Sequence, residues 1–83
     1  MTGCDCRMAR AALCWTIADL AKESGVNTTS ISKFETGSSK LMRANELMIV
    51  QAFTNAGLAF INTEVAGKKM AAVLYPLDDK PSA

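Results

Sequence analysis

The chain contains no histidine, only two prolines, and only one Trp, one Tyr and three Phe among its 83 residues. Without histidine it lacks the commonest general base near neutral pH and the commonest metal ligand. No nucleophile elbow, phosphate loop or carboxylate pair in a plausible pocket makes up for that lack, so an enzyme is not expected. No apolar run reaches the roughly 18 residues of a membrane span, so no membrane association is expected. The N-terminus has no basic region followed by an apolar stretch and a cleavage site. A cytoplasmic location follows as the default expectation. With so few aromatic residues, aliphatic and methionine side chains must build the core.

Cysteine is concentrated rather than absent. Cys4, Cys6 and Cys14 all lie in the first fourteen residues. A C-x-C pair with one distant partner fits no common zinc pattern, so no metal and no cofactor is expected. Reduced thiols that pack as small hydrophobes are the simpler reading. Net charge is only +1. Up to Arg43 there are six basic residues (Arg7, Arg10, Lys22, Lys33, Lys40, Arg43) against four acids (Asp5, Asp19, Glu23, Glu35), a balance of +2. Asp78 and Asp79 weight the other end towards the acidic. A face for a polyanion therefore belongs in the first half.

What is present reads as a string of short helices. Thr2 followed by Asp5 makes a capping box for a helix running to Cys14, with Cys6, Ala9 and Leu13 on one face and Arg10 beside them. Thr16 caps a second helix, Ile17 to Ser24, which Gly25 ends. Asn27 caps a third, Thr28 to Thr36, with Ile31 and Phe34 apolar and Gly37 as its stop. Ser38 to Leu41 forms a polar connector. A fourth helix spans Met42 to Ala56, and its apolar set (Leu47, Met48, Ile49, Val50, Ala52, Phe53, Ala56) exceeds what one buried face requires. A second subunit is the expected cover. After Gly57 the period changes: Leu58–Asn62 and Met70–Tyr75 read as strands of a hairpin with a longer loop from Thr63 to Lys69. The expected organisation is a helical domain over residues 1–57, a hairpin over 58–77, and a flexible tail over 78–83.

Two short helices around a tight glycine turn describe a helix-turn-helix. Gly25 follows Ala21 by four residues, Val26 fills the corner, Ile31 lies five further on and Phe34 three beyond that. The segment CRMARAALCWTIADLAKESGVNTTSISKFETG, Cys6 to Gly37, resembles the Cro/lambda-repressor-like (XRE) family of helix-turn-helix regulators. The matching residues are Arg10, Leu13, Trp15, Thr16, Asp19-Leu20-Ala21, Gly25-Val26, Ile31, Phe34-Glu35 and Gly37. The likeness extends over about Thr2 to Ile61, including the strand that starts after Gly57. Cys14 stands where glycine is common in that family, Ile17 where glutamine is common, and Thr36 where a basic or amide residue is common.

The resemblance implies a mainly α fold: a four-helix lambda-repressor-like DNA-binding domain with a C-terminal β-hairpin. It implies that the helix from Thr28 enters the major groove of double-stranded DNA. The residues it places at base edges are Asn27, Thr28, Thr29, Ser32 and Lys33, whose hydroxyls, methyls and ammonium suit such contacts. Asn27 reads equally well as a helix cap. Phosphate contacts fall to Thr16 and Ile17 at a helix start, and to Thr36, Ser38, Ser39, Lys40 and Arg43 beyond the third helix. Arg10 and Glu35, each on an apolar face, form a structural ion pair in the resembling family.

The implied function is sequence-specific transcriptional regulation. The expected form is a repressor that binds palindromic half-sites as a homodimer through Leu47, Met48, Val50, Phe60 and Val73. Such regulators occur on phages and mobile elements. Two alternatives stand beside it. One is an antitoxin-like or adaptor module that uses the same fold to hold a protein partner. The other is a redox-responsive regulator acting through the cysteines.

Overall fold

A computed structural model describes residues 1–75. The expected tail and the last residues of the expected hairpin lie outside the described residues. Four helices precede a two-stranded sheet: α1 (Gly3–Leu13), α2 (Ile17–Ser24), α3 (Thr28–Glu35), α4 (Arg43–Asn55), β1 (Ala59–Val65) and β2 (Lys68–Leu74). The chain is thus mainly helical with an antiparallel C-terminal hairpin. Among the described residues no helix is long and apolar enough to cross a membrane.

Local chemistry explains the helix boundaries. Both α1 and α2 start on complete capping boxes. Thr2 Oγ1 accepts from the Asp5 N–H at 3.1 Å while Asp5 Oδ2 accepts from the Thr2 N–H at 2.9 Å. Thr16 and Asp19 repeat the arrangement at 3.0 and 2.9 Å. Each box satisfies two N–H groups that a helix start leaves without intrahelical partners. α1 ends on Cys14, which adopts the left-handed conformation at φ 57°. A side chain at such a position costs about 1–2 kcal/mol that glycine avoids. The departure from glycine therefore leaves the helix end in place and strains it.

The core gathers one face from each helix: Cys6, Ala9 and Leu13 of α1, Leu20 of α2, Ile31 of α3, and Ile49, Ala52 and Phe53 of α4, with Val26 and Leu58 from the connections. Each large aliphatic or aromatic side chain buried this way is worth roughly 1.5–3 kcal/mol. Trp15 stacks on Phe53 at a centroid distance of 5.9 Å, and Phe53 meets Phe60 at the same distance, tilted. The base of the hairpin is thereby part of the same core.

The hairpin departs from expectation at its turn. The strands continue through residues read as loop, and Glu64 pairs with Lys69 and Val65 with Lys68. Only Ala66 and Gly67 form the turn, both with positive φ (52° and 79°). Two-residue turns with both central residues left-handed match the twist of the strands they join. The β-branched Thr63 and Val65 favour extended backbone, and the opposite charges of Glu64 and Lys69 face each other across the ladder.

Candidate nucleic-acid interface

The connection between α2 and α3 is built by two polar residues and one apolar one. The Ser24 hydroxyl donates to the Leu20 carbonyl at 2.7 Å and accepts from the Val26 N–H at 3.1 Å. Gly25 takes φ 79°, which frees the chain to turn, and Val26 is buried in the corner. Asn27 then caps α3, its Oδ1 accepting from the Thr29 N–H at 2.7 Å. Ser24 carried no sequence signal as a buried bridge, because serine at a helix end reads equally well as solvated surface.

At about 100° per residue, the exposed residues Thr28, Ser32, Thr36, Thr29 and Lys33 share an arc of about 140° on α3. Ile31 and Glu35 occupy the adjacent buried side. Asn27 stands at the start of α3 with its carbonyl oxygen engaged in the cap, so a bidentate grip on adenine would compete with the helix start.

Glu35 is tied down by three donors. Arg10 Nε donates to Oε2 and Arg10 Nη2 to Oε1, each at 2.7 Å, and the Cys6 thiol donates to Oε2 at 3.2 Å. Arg10 Nη1 also donates to the Trp15 carbonyl at 3.0 Å. The Glu35 side chain retains only 4 % of its exposure. Burial raises its pKa, but the Arg10 and Cys6 bonds and the charges of Arg10 and Arg7 outweigh that and hold the carboxyl below its usual range. Burial, the bond to Glu35 and its charge push the Cys6 thiol far up. The one acid of α3 is thus neutralised from within and presents no negative charge on the exposed arc.

Beyond α3 the chain folds back and brings three donors to one carbonyl. The Lys33 carbonyl accepts from the Ser38 N–H (2.9 Å), the Ser39 N–H (3.3 Å) and the Thr36 hydroxyl (3.2 Å). Thr36 and Ser38 share a hydroxyl–hydroxyl bond at 3.0 Å. A cleft of roughly 250 Å³ separates α3 from the start of α4, and Ser30, Lys33, Ser39, Lys40 and Asn45 are among its lining residues. Met42 provides no side-chain cap for α4. Arg43 is 80 % exposed and approaches Glu46 at 3.4 Å. The structure thus gathers Lys33, Ser39 and Lys40 around one cleft, with Arg43 in the first turn of α4.

No protein-family model matches the chain, and no match is found among the curated proteins.

The remaining expected residues divide. The Thr16 N–H is bonded to the Asp19 carboxylate, and Ile17 packs against the core. The Thr16 N–H bond holds the Asp19 carboxyl below its ordinary pKa. The start of α2 therefore presents a fixed carboxylate where a phosphate was expected. Leu47 and Met48 are exposed on α4, whereas Val50, Phe60 and Val73 are half-buried, the last two against the chain's own core. The ladder pairs Phe60 with Val73, which puts both on the inner side of the hairpin. Its other side carries Ile61, Val65, Met70 and Leu74, all exposed. A period of two makes the choice of face depend on what the sheet packs against, which a sequence pattern alone does not specify.

Proposed function

We propose that the protein is a sequence-specific DNA-binding transcriptional regulator of the lambda-repressor-like helix-turn-helix type, a repressor acting as a homodimer. The observation that carries this reading is the exposed arc of α3. It holds Thr28, Thr29, Ser32 and Lys33, while its acid is turned inward to Arg10. Such a face discriminates by hydroxyl, methyl and ammonium contacts at base edges. Lys40, Ser39 and Arg43, next to it, supply phosphate contacts that position without reading sequence. Thr16 and Ile17 are left out of this interface because Asp19 occupies the start of α2.

One such helix offers few base contacts, and a two-fold dimer doubles them over half-sites about one helical turn apart. Leu47, Met48 and the outer face of the hairpin are the surface available for that dimer. The test is footprinting on DNA flanking the protein's own gene, with a salt titration. The expected result is protection of an inverted repeat with affinity that falls as salt rises. Equal, weak binding to every duplex would overturn the reading.

An adaptor or antitoxin-like role is the second reading. The exposed apolar residues Leu47, Ile61, Val65, Met70 and Leu74 favour it, since such a surface suits a protein partner as well as a second copy. A monomer by light scattering at tens of micromolar, without operator binding, would favour this alternative.

A further inference from the structure

Gly3 stands in the first turn of α1, in direct apposition to the last turn of α3. A Cβ placed there would lie 2.5 Å from the Phe34 carbonyl oxygen and 3.0 Å from the Glu35 Cα and carbonyl oxygen. All three are backbone atoms, so no side-chain rotation relieves the clash. One turn further along α1, Cys6 donates to Glu35, and one turn beyond that Arg10 clasps it. Gly3, Cys6 and Arg10 share one face at i, i+3 and i+7. The C-terminal end of α3 is therefore held against α1 at three successive turns, and the backbone approach at the first of them exists only because position 3 has no side chain.

We infer that Gly3 is a positioning residue for the reading helix: its missing Cβ lets α1 seat against α3 and sets where Ser32 and Lys33 stand relative to the groove. This rests on the DNA-binding reading above. A Cβ at 2.5 Å must be relieved by parting the two helices by several tenths of an ångström. Binding constellations tolerate displacements of only about 0.5 Å. Base-edge hydrogen bonds weaken steeply with distance and angle. Phosphate attraction is long-ranged and hardly registers such a shift. The loss should therefore fall on sequence preference rather than on affinity as a whole.

The experiment compares the full chain with Gly3→Ala. Wild-type protein first selects a preferred duplex from a random pool. Both proteins are then titrated with that duplex and with a scrambled one of equal length, well below the melting temperature. Gly3→Ala is expected to lower the ratio of preferred to scrambled affinity about tenfold while scrambled affinity stays within about twofold. Backbone amide resonances of Ser32 to Glu35 are expected to shift. Ile49→Val, a core change in a helix that takes no part in this contact, should lower the melting temperature and leave the ratio intact.

An unchanged ratio with unmoved α3 resonances in Gly3→Ala overturns the inference. A wild-type protein that selects no sequence overturns the functional reading, and the positioning role with it. Should Gly3→Ala not fold, it is tested in the Cys14→Gly background, where the left-handed end of α1 no longer carries a side chain. The same fall in the ratio is then expected against Cys14→Gly alone, and an unchanged ratio overturns the inference.

Discussion

Arg10 and Glu35 face each other in a two-pronged ion pair, both bonds at 2.7 Å, with the carboxylate almost wholly withdrawn from water. Removing one partner strands the other. Arg10→Ala should destabilise the domain by about 3–5 kcal/mol, the usual result of leaving a buried charge without its counter-ion. A domain of this size has only about 4–12 kcal/mol in total. Urea melts should therefore show this variant losing from about a quarter of the domain's stability to all of it.

The same pair dictates how stability depends on acidity. The Glu35 carboxyl is held below its unfolded pKa, which is near 4.3. Its stabilising contribution is thus complete above that value and is lost as pH falls through the lower, folded one. Asp19 acts in the same direction through its bond from Thr16. The expected outcome is a stability difference between wild type and Glu35→Gln that is constant from pH 8 to 6 and shrinks below about pH 4. A difference that widens on acidification would contradict the assigned direction.

The three thiols should react unequally. Cys4 and Cys14 are exposed, whereas Cys6 is fully buried, bonded to Glu35 and shifted away from the thiolate. Because the thiolate is the nucleophile, native protein treated with iodoacetamide at pH 8 should gain two labels by mass spectrometry. A third should appear only in denaturant. Rapid native labelling of Cys6 would count against the buried assignment and would revive a redox role.

Cys14→Gly should stabilise the domain. The left-handed backbone at this residue disfavours any side chain by about 1–2 kcal/mol, while glycine adds about 0.4–1 kcal/mol of unfolded-state entropy. The net gain expected is about 0–1.6 kcal/mol, a rise of roughly 4–8 °C in melting temperature per kcal/mol. A fall in melting temperature would show that the Cys14 side chain makes a contact outweighing the strain.

Lys33 and Lys40 line one cleft yet have different proposed tasks. Lys33→Ala should cost about 1–3 kcal/mol on the preferred duplex and relax the preference at one position in each half-site. Lys40→Ala should weaken binding to all duplexes alike and flatten the salt slope by about one unit. Fluorescence anisotropy on single-base variants separates the two outcomes, and a uniform loss for Lys33→Ala would reassign it to the phosphates.

The first three helices were legible because their ends are chemically marked. Thr2, Thr16 and Asn27 cap, and Gly25 and Gly37 stop, as their side chains or lack of one dictate. The geometry that orients α3 was less accessible. Gly3 reads as an indifferent helix residue until the backbone of Phe34 is seen beside it. Ser24 looks like surface until the Val26 N–H is found on its hydroxyl. The pairing of Arg10 with Glu35 came from family likeness, since a charge on an apolar face does not name its partner. Phe60 and Val73, expected at a dimer interface, pack partly against the chain's own core, because alternation alone does not identify the side of a hairpin that meets the core.

Trp15 occupies the joint between these parts. Its carbonyl accepts from Arg10, and its ring stacks on Phe53, which touches Phe60 at the foot of the hairpin. It is also the sole tryptophan of the chain. The molecule therefore carries a built-in optical reporter. Its intrinsic emission registers the ion pair from one side and the aromatic stack from the other, so one fluorescence trace can follow, without any label, whether helices and hairpin come apart together.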